Sequence, residues 1–244
     1  MGLAAKPATS AAVIPLVLLL SLLTAVPPIT AKIITSSIQF DYFNDNYNLG
    51  KAFQVDPPAI IDNDALQVTP DSVNSTALMN QAGRILYNSA FKLWEGQDDT
   101  DRDRVASFNA SFLVNINRVD NSIPGEGLAF VVAPDLNLPP NSSGEYLGLT
   151  NSLTDGNKTN RLIAIELDTF QEDFDPDSNH VGLNINSVRS SIIANLTALG
   201  FQLVGEGNTS NFFNLWVQYD GIEKVHHPRN SITTNVRIFL TDPE

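Results

Sequence analysis

Short segments in which apolar and polar residues alternate recur along the chain, with Asn, Asp, Gly and Pro between them. In Ser107–Ile116, small or polar residues alternate with apolar ones, which is typical of a β-strand with one solvated face. The pattern predicts strands at Ile33–Phe43, Ala65–Thr69, Arg84–Tyr87, Ala106–Asn117, Gly127–Ala133, Arg161–Thr169, His180–Val188, Phe212–Tyr219 and Asn235–Thr241. Helical periodicity is nearly absent, so we predict an all-β fold, an antiparallel sandwich or jelly roll. Its core is predicted to include Phe108, Phe112, Phe130 and Trp216.

The beginning of the chain has a different composition. Lys6 is the only charge before the apolar run Ala11–Val26, and small residues follow up to Ala31. This order is typical of a secretory signal peptide. A membrane anchor is the alternative, but Pro15 interrupts the run, which is shorter than the roughly 20 residues that a spanning helix needs. We predict a signal peptide over residues 1–31 and no membrane span after its removal.

The charge and the lack of cysteine narrow the class of protein further. There are 27 Asp and Glu residues against 14 Lys and Arg, a formal net charge of −13. Such a surface repels nucleic acid and anionic membranes. Without cysteine, an exported chain relies on a large core, bound metal or subunit association. Six glycosylation sequons fit an exported glycoprotein, at Asn74, Asn109, Asn141, Asn157, Asn195 and Asn208.

An acidic hairpin holds the residues best suited to binding chemistry. Glu166, Asp168 and Phe170 are two positions apart, so they share one face of a strand. A turn can return Asp175 and His180 to the same face. Oxygen ligands suit calcium, and the added imidazole suits a manganese-class or other transition ion. Taken alone, the segment is also consistent with a solvated acidic hairpin.

A glycoside hydrolase is another alternative for this strand, because some sandwich-fold hydrolases have the pattern Glu-x-Asp-x-Glu there. Their outer two glutamates act as nucleophile and general acid. Retaining hydrolysis needs two carboxyl groups roughly 5 Å apart. Here the third position is Phe170, whose ring can neither attack nor donate a proton. The sequence therefore predicts a protein that is not an enzyme.

These segments resemble the legume (L-type) lectins, including the lectin ectodomains of plant receptor-like kinases. Glu166–Phe170, Asp175-Pro176 and His180–Ser187 follow the metal-loop pattern of that family in order and spacing. Other matching segments are Phe40–Phe43, Gly83–Tyr87, Leu93-Trp94, Gly127–Pro134, Tyr146–Leu149 and Trp216–Asp220. The resemblance implies a concanavalin A-like β-sandwich, with a lectin domain over residues 32–220.

The resemblance also implies calcium and manganese as cofactors. By analogy, the manganese ligands are Glu166, Asp168, Asp175 and His180. The calcium ligands are Asp168, Asp175, the carbonyl of Phe170 and the side chain of Glu172. The family has asparagine at this last position, and its amide donates to a sugar hydroxyl. The carboxylate of Glu172 can bind calcium but cannot donate that hydrogen bond.

Two more positions depart from the family's sugar site. Glu126 replaces an aspartate that follows a cis peptide bond, and its carboxylate extends about 1.5 Å farther. The cis bond therefore need not persist at Gly125–Glu126. Glu145 replaces a glycine whose backbone N–H approaches the sugar. The carbohydrate-binding positions implied by the resemblance are thus Glu126, Glu145, Glu172 and Phe170, whose ring either stacks on a sugar or joins the core.

The resemblance ends near Asp220, where the family normally continues with several more strands. We expect residues 221–244 to form an atypical tail in their place, which leaves the sandwich incomplete at its C-terminal end. His226 and His227 in this tail are expected to be exposed and without a role. Family lectins commonly form dimers through sheet edges, so a homodimer is an expectation that the missing strands weaken.

We predict a carbohydrate-binding, lectin-like protein with a binding loop ordered by calcium and manganese and with an altered sugar site. Its partners would be glycans or glycoproteins. The alternative is a degenerate lectin scaffold without monosaccharide binding, used for protein or apolar-ligand recognition in extracellular defence or signalling. Both fit secretion to the apoplast or cell wall, with the vacuole as a second destination.

Overall fold

The computed structural model describes residues 35–44, 49–69, 80–95, 104–118, 124–205, 211–221 and 236–242. The predicted signal peptide, the sequons at Asn74 and Asn208, and His226 and His227 lie outside the described residues. The chain divides into two units, residues 1–39 and residues 40–244. The described residues of the first unit form neither helix nor strand, and every element named below belongs to the second.

Antiparallel strands are the main regular structure in the described part of the second unit. In chain order they are β1 (Phe53–Asp56), β2 (Ile60–Asp62), β3 (Ala65–Gln67), β4 (Arg84–Tyr87), β5 (Trp94–Glu95), β6 (Arg104–Val105), β7 (Phe108–Asn115), β8 (Gly127–Val132), β9 (Ile163–Asp168), β10 (His180–Ile185), β11 (Ser190–Asn195), β12 (Phe212–Tyr219) and β13 (Val236–Thr241). Helical structure in the described ranges comprises α1 (Leu49–Ala52) and short 3-10 turns at Gly144–Tyr146, Lys158–Asn160 and Thr197–Leu199. The predicted all-β class is confirmed.

Two larger sheets organise the strands. One has four strands in the order β11-β10-β9-β8, and the other has three in the order β13-β12-β7. Neighbouring strands in both sheets are antiparallel. Three two-stranded ribbons, β1 with β4, β2 with β3 and β5 with β6, accompany them.

The main core lies between the two larger sheets. Because strand side chains alternate between faces, every second residue of β9 and β12 enters this core. The buried cluster consists of Val114, Ile165, Leu167, Val181, Leu183, Leu196, Leu203, Phe213, Leu215 and Val217. Each fully buried aliphatic or aromatic side chain of this kind contributes about 1.5–3 kcal/mol to folding. The core therefore fixes the positions of the strands that hold the site.

A smaller apolar cluster covers part of the opposite face of the four-stranded sheet. Its buried members are Leu149, Leu162, Ala164 and Val188. The loop that supplies part of this cover is held by the buried guanidinium of Arg84, which donates to the carbonyl oxygens of Asn137 and Gly148. The same loop places Glu145 near the end of the sheet where the acidic hairpin lies.

Several strands differ from the sequence-based prediction. The described part of Ile33–Phe43 contains no strand. β11 was not predicted, because its sequence Ser-Ser-Ile-Ile-Ala-Asn does not alternate and forms a largely exposed edge. The short strands β1, β2, β5 and β6 were missed as well. The strand predicted at Asn235–Thr241 is confirmed as β13, where it pairs with β12.

The prediction that Trp216 lies in the core is wrong. Its neighbours Leu215 and Val217 point into the core, so Trp216 points outward, and 45% of its surface is exposed. Phe112 faces Phe130, with ring centroids 5.6 Å apart, but lies on an edge strand and is also exposed. Phe108 and Phe130 are half-buried and pack against the core.

Candidate metal and carbohydrate site

Acidic side chains of β9 and a histidine of β10 lie on the outer face of the four-stranded sheet. The register sets Asp168 opposite His180 on β10 and opposite Gly127 on β8. Glu166 lies opposite Gly182. Directly opposite residues share a face, so these side chains converge on the side away from the core. Glycine leaves room for them: a Cβ at Gly182 would come within 1.8 Å of the hydroxyl of Ser190.

The hairpin brings Asp168, Asp175 and His180 together. One ligand atom from each lies within 4.8 Å of the others. Asp168 and His180 are almost fully buried, at 4% and 0% exposure. The Nε2 atom of His180 lies 4.0 Å from an Asp168 carboxylate oxygen. This buried nitrogen has no hydrogen-bond partner in the described part of the chain. It is therefore available to a ligand that binds between it and the two carboxylates.

The loop after β9 is wound so that its backbone supports the carboxylates. The N–H of Phe170 donates to Asp168 Oδ1 at 2.9 Å. The N–H of Glu172 donates to Asp175 Oδ2 at 3.0 Å. These local bonds fix both acidic side chains.

Glu166 lies beside this trio on the same face. Its Oε2 accepts hydrogen bonds from Asn184 Nδ2 at 2.6 Å and from Ser190 Oγ at 3.2 Å. Burial raises the pKa of Glu166, and these hydrogen bonds oppose the rise. The structure thus places Glu166 next to the cluster of three but not within it.

The second ring nitrogen of His180 is held by Asp177. His180 Nδ1 lies 3.1 Å from the Asp177 carbonyl oxygen and 3.5 Å from its carboxylate. Asn195 in turn donates from Nδ2 to the same carboxylate at 2.6 Å. Two acceptors at Nδ1 favour a proton there, which leaves the Nε2 lone pair for a metal. Sequence reasoning did not find Asp177 or Asn195, although an Asp three residues before a ligand histidine is a visible signal.

Like charges and burial make this cluster unfavourable without a counter-ion. Burial, then Glu166 and Asp175, raise the pKa of Asp168 to about 9 from its ordinary value of 3.8. Burial also raises the pKa of Asp175. A bound cation would remove this cost, because it favours the ionised carboxylates. The oxygen donors and the unpaired imidazole nitrogen therefore fit a divalent metal.

Glu126 faces the same end of the sheet. Burial raises the pKa of Glu126 to about 7, and the nearby carboxylates of Glu172, Asp175 and Glu145 add to the rise. Thr169 fixes the backbone beside Glu126, because its hydroxyl donates to the carbonyl oxygen of Gly125 at 2.6 Å. Glu126, Glu145 and Glu172 therefore lie close enough for their charges to interact.

The structure also places the other residues singled out from the sequence. Among the described residues the only cis peptide bond joins Pro57 and Pro58, so Gly125–Glu126 is trans. Phe170 is half-buried and belongs to neither apolar cluster of the described chain. The described sequon asparagines are all exposed, at Asn109, Asn141, Asn157 and Asn195.

The fold and this acidic hairpin define a class of β-sandwich sugar-binding domains. The Legume lectin domain family matches residues 35–227 of the chain. The chain belongs to the legume lectin family. Members of this family are carbohydrate-binding proteins without enzymatic activity, and they typically bind metal ions. The prediction that the chain is not an enzyme is thereby confirmed.

Relatives include a lectin-domain receptor kinase and an agglutinin. A probable L-type lectin-domain containing receptor kinase S.5 of Arabidopsis thaliana is 38% identical over 161 residues, which are 64% of this chain and 23% of that protein. Agglutinin-2 of Cladrastis kentukea is 36% identical over 133 residues, 52% of this chain and 43% of that protein. The chain therefore spans less than half the length of both relatives.

Solved structures of similar fold are also legume lectins. Winged bean acidic lectin, complexed with methyl-alpha-D-galactose, is 27% identical with a TM-score of 0.59. The match covers 84% of this chain and 79% of that lectin. No helix within the described ranges is long and apolar enough to cross a membrane.

Proposed function

We propose that this chain is an extracellular carbohydrate-recognition domain whose binding loop is ordered by calcium and manganese and whose sugar site is altered. The observation that carries the proposal is the trio Asp168, Asp175 and His180, with the buried and unpaired Nε2 atom aimed at two carboxylates. The exposed sequons of the described residues and the similarity to a lectin-domain receptor kinase and an agglutinin support secretion as a glycoprotein.

The two ions would use different but overlapping sets of ligands in the acidic loop. Manganese would be held by Glu166, Asp168, Asp175 and His180. Calcium would be held by Asp168, Asp175, the carbonyl of Phe170 and the side chain of Glu172. When bound, the ions supply positive charge that keeps the shared carboxylates ionised and the loop in one conformation. The protein's part is to hold the donors together on a rigid strand pair.

Three glutamates would make the sugar site unlike that of ordinary family members. Glu126, Glu145 and Glu172 add carboxylates that accept hydrogen bonds but do not donate them while ionised. Glycans that offer hydroxyl or ammonium donors suit this site. Sialic acids and uronic acids do not, because their carboxylates would meet like charge. We therefore expect neutral or amino sugars among its ligands.

The mutual crowding of these carboxylates also favours a second candidate function. Burial raises the pKa of Glu126, and the carboxylates of Glu172, Asp175 and Glu145 add to the rise. A site with this many carboxylates would be too acidic for any monosaccharide. The chain would then be a degenerate lectin scaffold that recognises a protein or an apolar ligand. Both functions keep the metal loop, so metal binding alone does not separate them.

Glycan-array binding by the secreted, purified protein separates the two functions. The protein is applied with calcium and manganese and again with a chelator. Binding to a defined glycan set that the chelator abolishes supports the altered lectin. A folded, metal-loaded protein that binds no glycan overturns it and leaves the degenerate scaffold.

A triple variant with the family residues restored provides the matched control. Glu126→Asp, Glu145→Gly and Glu172→Asn together remove the added bulk and charge. We expect this variant to bind simple monosaccharides that the natural chain does not. If the variant binds metal but no monosaccharide, the three glutamates are not what alters the site.

A further inference from the structure

The outer face of the three-stranded sheet is unusually apolar for a surface. Four of its side chains are 45–62% exposed, and we call them the outer patch: Leu113, Phe212, Trp216 and Phe239. Trp216 lies at its centre, opposite Ser111 on β7 and opposite Phe239 on β13. Such contiguous exposed apolar groups mark an interaction surface.

A glycosylation sequon lies on the same face. Asn109 and Ser111 are the first and third residues of the sequon Asn-Ala-Ser, and strand alternation points both outward. Asn109 lies opposite Gln218, while Ser111 lies opposite Trp216. Asn109 and Trp216 are therefore diagonal neighbours, about 7–8 Å apart in an antiparallel pair. Ser111 and Gln218 occupy the other two corners of this quartet.

The Asn109 amide is free to be modified. It is exposed and hydrogen-bonds to no other part of the described chain. By contrast, Asn157 Oδ1 accepts from the backbone and hydroxyl of Thr159, and Asn195 Nδ2 donates to Asp177 at 2.6 Å. A sugar on Asn195 would have to share that amide nitrogen with a bond that supports the acidic hairpin.

The chemistry of the face matches a sugar chain. The C–H face of a pyranose ring is apolar and packs against an aromatic ring, while the sugar hydroxyls at its edge remain free to form hydrogen bonds. The other outward side chains around Trp216 are mostly uncharged donors and acceptors, namely Asn109, Ser111, Asn115, Asn214, Gln218 and Thr241. Arg237 is the one charged residue among these outward positions of β7, β12 and β13.

We propose that an N-linked glycan on Asn109 folds back along the sheet and covers Trp216 and its apolar neighbours. The first N-acetylglucosamine is the ring within reach of Trp216. This inference rests on export through a glycosylating pathway and not on the lectin activity proposed above. A glycan rooted on this face also keeps a second copy from packing flat against it, which is why we choose the glycan over a dimer.

The test uses the full chain secreted from a glycosylating host. The chain has two tryptophans, so Trp94→Phe leaves Trp216 as the single fluorescent reporter. Glycopeptide mass spectrometry establishes whether Asn109 is occupied. Removing its glycan with Asn109→Gln should raise acrylamide quenching of Trp216 about twofold, because stacking shields one face of the ring. Ser111→Thr keeps the sequon and should leave quenching unchanged.

Asn157→Gln is the matched control, because it removes another sequon from an exposed turn outside this sheet. It should not change the quenching. Enzymatic trimming of the folded protein to single N-acetylglucosamine residues avoids any folding defect of the variants and should preserve the protection. An unoccupied Asn109, or quenching that does not respond to its glycan, overturns the proposal. A dimer with Trp216 protected equally with and without the glycan would assign the patch to a second copy.

Discussion

The two larger sheets share one core but differ on their outer faces. On the four-stranded sheet, loops cover the outer face, and the polar residues there are buried: Glu166, Asp168, His180 and Asn184. On the three-stranded sheet, aromatic residues of the outer face such as Trp216 and Phe239 are exposed. Burial thus follows the cover that loops provide and not the polarity of the residue. Where polar groups are buried despite the cost, a ligand or partner has to compensate them.

The largest effect is expected in the core that both faces share. Phe213→Ala should lower the free energy of unfolding by about 3–5 kcal/mol, because it leaves a cavity in the buried cluster. Phe213 is 1% exposed, whereas Trp216, three residues along the same strand, is 45% exposed. In protein without glycans, Trp216→Ala should cost clearly less. Equal losses in chemical denaturation would contradict the assignment of the two faces.

A ligand substitution should have the next largest effect, confined to the covered face. Asp168→Asn removes a carboxylate that both proposed ions share, and we expect manganese affinity to fall by more than about 100-fold, beyond the 10–100-fold typical of supporting residues. Titration calorimetry and the manganese electron paramagnetic resonance signal measure it. Asp173→Asn, on an exposed carboxylate of the same loop, is the matched control and should bind normally. Comparable losses in both variants would disprove a specific site at Asp168.

Much of this covered face was predictable from the sequence, because the period of a strand is strict. Alternation alone sends Ile165 and Leu167 inward and Glu166 and Asp168 outward, as the structure shows. Applied to β12, the same rule sends Trp216 outward with Asn214 and Gln218, so the prediction that placed it in the core was wrong because it followed the apolar character of the ring and not its position in the strand. Spacing predicts which residues share a face, but it does not reveal which face the loops will cover.

The contact between Asp177 and Asn195 was not predictable for a different reason. Asp177 is ordered by Asn195, and Asn195 is brought to it by the pairing of β10 with β11, where His180 lies opposite Asn195. β11 has no alternating signal, so its pairing is decided by the partner strand and not by its own sequence. Contacts between side chains distant in sequence depend on such a register.

The melting temperature of the protein should depend on pH differently with and without bound metal, because the buried carboxylates of the covered face titrate. The folded-state pKa of Asp168, about 9, lies above its ordinary 3.8, so folding favours the protonated form. This contribution to stability is fully present below pH 4 and is lost as pH rises toward 9. In chelator, we expect the melting temperature to fall over that range more steeply than in Asp168→Asn.

Calcium and manganese should reverse this trend, because metals bind the ionised carboxylates and bind more tightly as pH rises. Differential scanning calorimetry at several pH values, with chelator and with saturating metals, measures both slopes. A chelated protein whose melting temperature changes between pH 5 and 8 by the same amount as that of Asp168→Asn would contradict the raised pKa of Asp168.

The smallest effect is expected from the residue that holds the far side of His180. Asp177→Ala should weaken manganese binding about tenfold, at the low end for supporting residues, because the backbone carbonyl at 3.1 Å still accepts from Nδ1. Imidazole nitrogen shifts in nuclear magnetic resonance should show a larger share of the tautomer protonated at Nε2, a change that a general loss of stability would not produce. Ser178→Ala, at the exposed neighbouring position, should leave both readouts unchanged. If Asp177→Ala keeps full manganese affinity and the same tautomer, the backbone carbonyl alone orients His180. The hydrogen bond from Asn195 to Asp177 then does not contribute to metal binding.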